Sequence, residues 1–395
     1  MNILERPLVS KITWFLLRPI GWIFVGLPYG LGKSDTEGLK NLISPYLILP
    51  NHATMLDSAL LGLHSRRVIR YVAADGNFRT GLQAIFFRLL GTIPKAKGVS
   101  EVDLIRTLMQ LKSRGGILGI FPEGQSCWDG TTLPLIPATA KLVKLFKVPV
   151  VIPVIKGGYL CRPRWAFRRR ARGVEVSYRN VIPAEELKGL SSEDILSKLE
   201  KILAWDDHAW ALETGALVFN KRNRAEGIER LLFVCPVCRS VGTLRSRDNS
   251  FSCGACGLDV FINHRGLFES DKLPVGLTQE RDWNAWQNRW LEDHLHRLDT
   301  GAEIFRDEPV RLYQGYKARR MKKVGEGSLF LFRDGRIVLK GETEMTFPLR
   351  EISALHVFKQ DLLEFYYANK LYRAFFPTRR VSAYKWMQAA RLLGN

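Results

Sequence analysis

The residues with the clearest chemical potential are His52 and Asp57, in the stretch Pro50-Asn51-His52-Ala53-Thr54-Met55-Leu56-Asp57. The apolar run before this stretch predicts a strand and the apolar pattern after it predicts a helix, which puts His52 in the turn and Asp57 in the first helical turn. The helix can then carry the carboxylate back to the imidazole. A carboxylate that accepts one ring N–H fixes the tautomer, so the other ring nitrogen can act as a base toward a hydroxyl group.

Three further segments could meet this turn. Gly91–Gly98 is a glycine-bounded loop whose cations, Lys95 and Lys97, suit a phosphate. Phe121-Pro122-Glu123-Gly124 follows a predicted buried strand, and Val148–Val154 reads as another buried strand. In open α/β sheets, ligands bind outside the carboxyl ends of the strands, so the histidine turn and the glutamate turn are expected to face one crevice.

The order Asn-His-x4-Asp, Gly-x-Ile-x-x-x-Lys, Phe-Pro-Glu-Gly and Ile-Pro-Val resembles the four blocks of the glycerolipid acyltransferases, which acylate glycerol-3-phosphate or lysophosphatidic acid. The resemblance covers the region from about residue 39 to about residue 215. It implies transfer of a fatty acyl group from acyl-CoA or acyl carrier protein to a hydroxyl of a lysophospholipid, above all 1-acylglycerol-3-phosphate. His52 would be the general base and Asp57 its orienting carboxylate, and the reaction would need no metal.

The resemblance also implies roles in acceptor binding. It assigns Glu123 and Gly124 to the acceptor and puts Lys97 where the family usually carries a phosphate-binding arginine. The family's third block commonly continues Gly-x-Arg-Ser, whereas Ser126 stands at the arginine position in this chain. Both departures weaken bidentate recognition of a phosphate, so the acceptor headgroup stays open. The candidate substrate-binding residues are Asn51, Lys95, Lys97, Glu123, Gly124, Gln125 and Ser126.

Length and charge bound the remaining possibilities. A chain of 395 residues predicts two or three domains. Its formal net charge of +20 indicates an anionic partner, either a membrane surface or a nucleic acid. Acyl transfer to a lysophospholipid favours the membrane surface. A basic zinc-ribbon protein that binds nucleic acid is the alternative, but it leaves the His52, Asp57 and Glu123 blocks unexplained.

Two segments are candidates for that membrane surface. The apolar run Ile12–Leu27 contains Trp14 and Trp22 and is interrupted by Arg18-Pro19. It predicts a monotopic anchor bent at the proline, with a spanning helix and a buried packing helix as alternatives. Arg162–Arg172 carries six arginines around two aromatic residues and predicts a lipid-facing loop, with a solvated loop or a nucleic-acid contact as alternatives. The expected location is the cytoplasmic face of a membrane, as a peripheral or monotopic protein.

Four of the six cysteines form two Cys-x-x-Cys pairs separated by 14 residues. Four thiolates at this spacing predict a closed, tetrahedral zinc site with a structural role, whereas two local disulfides or redox pairs are the alternatives. The remaining two, Cys127 and Cys161, are interpreted as buried thiols. The predicted ligands are Cys235, Cys238, Cys253 and Cys256.

The C-terminal part changes to short strands. Asp334-Gly335 and Ala368-Asn369-Lys370 each separate two apolar runs and predict hairpins, and a final helix spans Ala383–Leu393. A strand meander closed by one helix resembles a PH-like domain in architecture alone. The sequence leaves the oligomeric state open. The predicted parts are a membrane-associating segment (1–38), an α/β acyltransferase domain with a mostly parallel sheet flanked by helices (39–215), a zinc ribbon (228–270), a connecting helix (271–307) and a β-rich PH-like domain (308–395).

Overall fold

The structure is a computed structural model that describes residues 7–32, 34–65, 67–78, 82–95, 102–220, 222–316, 320–342 and 344–394. The chain divides into two compact units. The first unit comprises Met1–Arg164 and Arg169–Asn220, and the second comprises Trp165–Arg168 and Lys221–Asn395. A short piece of chain from the middle of the first unit therefore belongs to the second.

The first unit alternates helices and strands. Its helices are α1 (Pro7–Gly21), a π-helical stretch (Trp22–Gly26), α2 (Leu27–Tyr29), α3 (Asp57–His64), α4 (Leu82–Leu89), α5 (Val102–Ser113), α6 (Pro137–Phe146), α7 (Gly158–Cys161), α8 (Ser192–Leu203) and α9 (Asp207–Thr214). Its strands are β1 (Leu47–Ile48), β2 (Ile69–Ala74), β3 (Ile93–Lys95), β4 (Ile117–Gly119), β5 (Val150–Lys156), β6 (Ala171–Arg172), β7 (Glu175–Ile182) and β8 (Val218–Phe219).

Six of these strands form one sheet in the order β3-β2-β4-β1-β5-β7. The first five are parallel to one another, and β7 pairs antiparallel with β5 at the edge. This topology confirms the predicted α/β class. Because β1 and β4 are neighbours in the middle of the sheet, the turns that follow them leave from the same edge.

The sheet is buried on both faces, as the continuous apolar runs of its strands predicted. Alternate residues of the same strand belong to different core clusters: Ile48 and Val151 lie in one, and Leu47, Val150 and Ile152 lie in the other. All five are essentially inaccessible to solvent. The middle strands therefore provide a rigid base for the turns at their carboxyl ends.

The N-terminal helix packs on α3 along one face. The ring of Trp14 lies over Gly62, where a Cβ atom would come within 2.8 Å of it. Arg18 Nε donates to the carbonyl of Leu63 (3.0 Å), and α1 continues past Pro19 to Gly21 rather than ending at the predicted bend. Among the described residues, Lys11–Tyr29 is the one helical segment long and apolar enough to cross a membrane. Several of its apolar side chains are more than half exposed, namely Phe15, Leu16, Ile23, Phe24 and Leu27.

The second unit is built mainly from antiparallel strands. Its helices are α10 (Glu280–Arg297) and α11 (Ala383–Leu393). Its strands are β9 (Leu244–Arg247), β10 (Ser250–Cys253), β11 (Asp259–Ile262), β12 (Phe268–Glu269), β13 (Glu303–Gly315), β14 (Lys322–Phe332), β15 (Arg336–Gly341), β16 (Met345–Pro348), β17 (Ser353–Phe358), β18 (Leu362–Tyr367) and β19 (Lys370–Phe375).

These strands form a small and a large sheet. The small sheet has the order β12-β11-β10-β9 and the large one the order β16-β15-β14-β13-β19-β18-β17. Both predicted hairpins are present, as β14 with β15 and β18 with β19. Gly335 adopts φ +80 in the first of these turns, a conformation that favours glycine. The element order fits the predicted meander and closing helix, and the PH-like assignment stays a prediction.

The compact units each contain segments that the sequence predicted as separate parts. The N-terminal segment belongs to the first unit because it packs on α3. The ribbon, the connecting helix and the C-terminal sheet belong to one unit, and α10, which is shorter than the predicted 271–307, buries one face against the other parts. The Trp283 ring of α10 contacts Phe251 and Phe268 of the ribbon, and Asn284 accepts a hydrogen bond from the Tyr384 hydroxyl of α11 (3.2 Å).

The arginine-rich stretch does not form the predicted lipid-facing loop. Trp165 is completely buried in the second unit, where Arg230 Nη1 donates to its carbonyl (3.2 Å). The guanidinium of Arg230 also lies 3.9 Å from the centre of the Phe167 ring. Arg170, in the first unit, is buried as well. A lipid-facing loop needs exposed aromatic side chains, so the prediction for Arg162–Arg172 is wrong.

Candidate functional site

The structure brings His52 and Asp57 together as the spacing predicted. His52 lies in the turn after β1, Asp57 is the first residue of α3, and His52 Nδ1 lies 2.8 Å from Asp57 Oδ2. The Asp57 carboxylate is fully buried, whereas the imidazole is 20% exposed. The carboxylate can only accept, so Nδ1 carries the proton and Nε2 keeps its lone pair. This arrangement can take a proton from a hydroxyl group that reaches the exposed side of the ring.

The backbone of the turn is wrapped around the Asp57 carboxylate. The amides of Ala53 and Thr54 donate to Asp57 Oδ2 at 2.7 and 2.9 Å, and the Thr54 amide also reaches Oδ1 at 2.9 Å. Thr54 Oγ1 in turn accepts from the amide of Leu56 (2.8 Å). Asp57 therefore both orients the imidazole and shapes the turn that carries it.

Asn51 connects this turn to the neighbouring strand. Its Nδ2 donates to the carbonyl of Ile155 (3.0 Å), and its Oδ1 accepts from the amide of the same residue (2.7 Å). Both polar atoms of the buried amide are thus engaged by β5. The structure gives Asn51 a positioning contact, although the sequence counted it among the substrate-binding residues.

Glu123 holds two loops at once. Its Oε1 accepts from the amide of His52 (2.6 Å) and its Oε2 from the amide of Leu133 (2.7 Å). Burial raises the pKa of Glu123 to about 8, against the opposing effect of these two N–H donors, and the negative charge of Asp57 acts in the same direction as burial. Glu123 is 6% exposed as a residue and each carboxyl oxygen accepts a backbone N–H, so in this structure Glu123 positions His52.

The rest of the Phe-Pro-Glu-Gly block forms a tight turn. Gly124 has φ +71, and a Cβ atom there would lie 2.5 Å from Ile136 Cδ1, so this position requires glycine. The amide of Cys127 donates to the carbonyl of His52 (2.8 Å), which ties the block to the histidine turn. The glycine is a structural requirement of the turn that holds Glu123.

A guanidinium reaches this block from elsewhere in the chain. Arg164 Nη1 lies 3.5 Å from Gln125 Oε1 and 3.4 Å from the carbonyl oxygen of Ser126, and the guanidinium stacks 4.6 Å from the ring of Trp128. The sequence contained no local signal for this contact, since Arg164 lies 38 positions beyond Ser126. Arg164 is buried, and we assign it no role in substrate binding.

The loop with the two lysines is only partly described. Lys95 ends β3 and is half-buried. Lys97 lies outside the described residues. The predicted phosphate contacts of both residues therefore stay predictions.

Asp207 is a positioning residue that sequence reasoning missed. Its carboxylate accepts from the amides of Gly157 and Tyr159, each at 2.8 Å, and from Trp205 Nε1 at 2.7 Å. These amides open α7, and Gly158 of that helix packs against Ala53 of the histidine turn, where an added Cβ would lie 3.0 Å from the alanine Cβ. Burial raises the pKa of Asp207 to about 6. No spacing pattern relates Asp207 to the turn, so the sequence could not identify it.

The four clustered cysteines converge in the second unit. The Sγ atoms of Cys235 and Cys256 are 3.7 Å apart, as are those of Cys238 and Cys253, and all four lie within 4.8 Å of one another. A tetrahedron with zinc–sulfur bonds of about 2.3 Å has sulfur–sulfur edges of about 3.8 Å. The donor set and its spacing therefore fit a zinc ion. The two remaining cysteines, in the first unit, are buried as predicted, and burial raises the pKa of both thiols.

Known proteins resemble the first unit. A family model described as Acyltransferase matches residues 33–156. The chain is 27% identical over 141 residues to 1-acyl-sn-glycerol-3-phosphate acyltransferase BAT2, chloroplastic, of Brassica napus, a match that covers 34% of this chain and 40% of that protein. It is 28% identical over 114 residues to 1-acyl-sn-glycerol-3-phosphate acyltransferase LPAT1, chloroplastic, of Arabidopsis thaliana, which covers 28% of this chain and 32% of that protein.

These matches span less than half of either relative. One solved structure, the 1-acyl-sn-glycerophosphate (LPA) acyltransferase PlsC of Thermotoga maritima, has a TM-score of 0.40 at 14% identity over 53% of this chain and 97% of that chain, which is too low to support an argument. The family match contains the His52–Asp57 turn, the glycine-bounded loop and the Phe-Pro-Glu-Gly block. Residues 33–156 are therefore similar to the Acyltransferase family model, with the blocks in this order and the His52–Asp57 dyad formed.

Proposed function

We propose that the protein transfers an acyl group from an acyl thioester to the free hydroxyl of a lysophospholipid, with 1-acylglycerol-3-phosphate as the acceptor. The observation that carries this proposal is the contact between His52 Nδ1 and the buried Asp57 carboxylate, with the imidazole itself partly exposed. The two plant relatives, both named as 1-acyl-sn-glycerol-3-phosphate acyltransferases, support the choice of acceptor. The donor is acyl-CoA or acyl carrier protein.

The chemistry follows from the state of the imidazole. Nε2 of His52 takes the proton of the acceptor hydroxyl as its oxygen attacks the thioester carbonyl carbon. The resulting imidazolium is stabilised by the Asp57 carboxylate. When the tetrahedral intermediate collapses, the carbon–sulfur bond breaks, the thiolate leaves, and it takes the proton from Nε2. The ester product and the free thiol carry the same atoms as the hydroxyl and the thioester, so the step balances without a metal or a redox partner.

The test is a product assay with a defined panel. Purified protein in mixed micelles receives labelled oleoyl-CoA or oleoyl-acyl carrier protein, together with 1-oleoylglycerol-3-phosphate, glycerol-3-phosphate, lysophosphatidylcholine or lysophosphatidylglycerol, and the products are identified by mass. We expect phosphatidic acid to form fastest. Formation of another diacyl product at a higher kcat/KM would change the acceptor and keep the reaction class. The absence of product with every pair would contradict acyl transfer.

The acceptor phosphate is expected at the glycine-bounded loop, with Lys97, helped by Lys95, as a point charge. Hydrogen bonds to charged groups contribute roughly 1.5–3 kcal/mol, so Lys97→Ala should raise KM for 1-acylglycerol-3-phosphate about 10-fold or more and lower kcat less. A matched control is Lys112→Ala, at the end of α5. Ser126→Arg should improve kcat/KM for 1-acylglycerol-3-phosphate over lysophosphatidylcholine. Unchanged values in both variants would place the phosphate elsewhere.

We also propose that the first unit binds a membrane surface peripherally or monotopically, on the cytoplasmic side. The exposed apolar side chains of Lys11–Tyr29 support this proposal, since a contiguous exposed apolar surface is costly in water. The double variant Phe15→Asp/Phe24→Asp should stop co-sedimentation with vesicles of phosphatidylcholine and phosphatidylglycerol. Val275→Asp, at a fully exposed valine of the second unit, is the matched control. Complete release of wild type by 1 M salt, or pelleting with DNA in place of vesicles, would contradict an apolar anchor.

The zinc ion is proposed as a structural part of the second unit. Four protein thiolates fill the coordination shell, so a bound zinc would keep no position for a substrate. The ion would join the segment before β9 to the end of β10 and the turn that follows it.

A further inference from the structure

Two aromatic rings are stacked behind the imidazole of the proposed base. The His52 imidazole and the Phe121 ring are stacked at 4.1 Å between centroids with an interplanar angle of 25°. The Phe121 ring is stacked in turn with the Tyr71 ring at 5.6 Å and 17°. The imidazole is therefore held by two different contacts. Asp57 binds one ring nitrogen in the plane, and Phe121 covers one face.

The sheet fixes where these rings lie. Tyr71 belongs to β2 and is paired across the ladder with Gly119 of β4. A Cβ atom on Gly119 would lie 2.4 Å from the tyrosine ring, so the glycine makes room for that ring. Phe121 lies two residues after the end of β4, and His52 lies in the turn after β1, the next strand in the sheet. The stack thus runs from the interior of β2 to the turns that follow β4 and β1, across three neighbouring parallel strands.

This geometry constrains a motion that the dyad leaves free. A hydrogen bond from Nδ1 to Asp57 still lets the imidazole rotate about the line between the two residues. A ring packed on one face prevents that rotation and keeps Nε2 directed at a fixed point. In addition, the π-face of a phenyl ring attracts a cation more strongly than a neutral ring, so its effect is larger on the imidazolium that forms during the reaction.

Resting on the proposed function, we propose that Phe121 is a positioning residue that holds the His52 imidazole in its reactive orientation and stabilises its protonated form. Tyr71 acts one step further back, as the support of Phe121. The orientation of the ring and the attraction to the imidazolium both lower the barrier of the chemical step, and neither contacts a substrate. They should therefore contribute to kcat and leave the affinity for substrates nearly unchanged. The backbone contacts of Glu123 and Asn51 hold the turn, and the stack holds the ring itself.

The test compares Phe121→Leu, which removes the aromatic face, with Phe121→Tyr, which keeps it. Phe121→Leu should lower kcat about 3- to 30-fold, the range that corresponds to a cation–π contact, and change both KM values less than 2-fold. Phe121→Tyr should stay within about 3-fold of wild type, and Tyr71→Leu should show a smaller loss than Phe121→Leu. An unchanged kcat in Phe121→Leu, or the same loss in both Phe121 variants, would overturn the proposal.

A second readout does not depend on activity. In protein labelled with 13C-histidine, the stacked phenyl ring should shift the His52 ring proton signals upfield, and His52→Ala identifies those signals. Phe121→Leu should remove the shift and Phe121→Tyr should keep it, with thermal unfolding of all variants measured as the control for folding. If wild type transferred no acyl group while the shift was present, the proposed function would fail and the stack would stand. If the shift were absent in wild type, the positioning role would be overturned whatever the activity.

Discussion

The two candidate sites of this protein differ in the length of chain that each needs. The four cysteine ligands come from two short pairs, and the Cys235 and Cys256 Sγ atoms that meet belong to residues 21 positions apart. The His52 turn is held by Glu123 and Ile155, which lie 71 and 104 positions further along the chain. The metal site can therefore be held by the ion and its immediate neighbours. The candidate active site forms only when β1, β4 and β5 have come together in the sheet.

This difference indicates which interactions stabilise each site. In the ribbon, a bound zinc would link the two cysteine pairs directly, and its binding free energy would add to the free energy of folding. In the first unit, buried backbone groups are satisfied by buried side chains, and leaving any of them without a partner is costly. The two sites should therefore respond independently to loss of metal and to loss of a side chain.

The sharpest test of this independence is His52→Ala. General-base catalysis typically contributes 10²- to 10⁴-fold, so kcat should fall by about that factor, while zinc content and thermal unfolding stay as in wild type. Asp57→Asn should cost less, since an amide can still hold the ring but cannot stabilise the imidazolium. His264→Ala, in an exposed turn of the ribbon, is the matched control. Turnover by the His52 variant near the wild-type rate would contradict the role of His52 as general base.

Removal of the metal tests the independence of the cysteine site from the first unit. We expect one zinc ion per chain by elemental analysis, and chelation should increase hydrogen exchange throughout β9–β12 before it affects the first unit. Acyl transfer in micelles should persist while the ribbon is open. Protein purified without chelator that contains no zinc, or a ribbon that keeps its protection after chelation, would show that the site is not a metal centre.

Asn51→Ala should reveal the cost of one long-range contact. It removes two buried hydrogen bonds to Ile155, so the free energy of unfolding should fall by roughly 2–5 kcal/mol. Since the histidine turn loses its attachment to β5, kcat should fall about 10- to 100-fold. Asn180→Ala, at an exposed position of β7, is the control and should change neither quantity. Equal effects of the two variants on urea unfolding and on kcat would contradict the role of Asn51.

The smallest expected effect is a dependence of stability on pH. The pKa of Glu123 is raised from 4.5 to about 8, so its contribution to stability is complete below about pH 4.5 and is lost as the pH rises through 8. Asp207 has a raised pKa near 6 and acts in the same direction at lower pH. Between pH 6 and 8, unfolding of the first unit should therefore become easier by up to about 1.4 kcal/mol per pH unit.

Glu123→Gln cannot ionise, so it should flatten this dependence, although it also lowers the overall stability because one backbone amide loses its acceptor. Urea unfolding at pH 6, 7 and 8, followed by tryptophan fluorescence, measures the slope. Glu175→Gln, at an exposed carboxyl group of β7, should keep the wild-type slope. A slope that is the same in wild type and Glu123→Gln would show that the buried carboxyl does not change its ionisation in this range.

Much of the molecule was predictable from local pattern. Continuous apolar runs indicate buried strands, so β1, β4, β5 and the α/β class followed from the sequence. The stretch predicted as a glycine-bounded loop instead contains a short strand, β3. The five-residue spacing of His52 and Asp57 is typical of a turn that leads into a helix. Two Cys-x-x-Cys motifs predict a zinc site. Hairpins at Asp334-Gly335 and Ala368-Asn369 followed from turn residues. Each of these signals lies within about twenty residues of chain.

What only the tertiary structure decided depends on partners far apart in the chain. Sequence reasoning assigned Glu123 and Asn51 to the substrate, whereas the fold engages their polar atoms with the backbone of His52, Leu133 and Ile155. It took Trp165 for a membrane contact, and the fold buries it. A polar or aromatic side chain looks the same in a sequence whether its partner is a ligand or a distant amide. The partner is set by which strands become neighbours, and that is determined by the packing of the whole sheet.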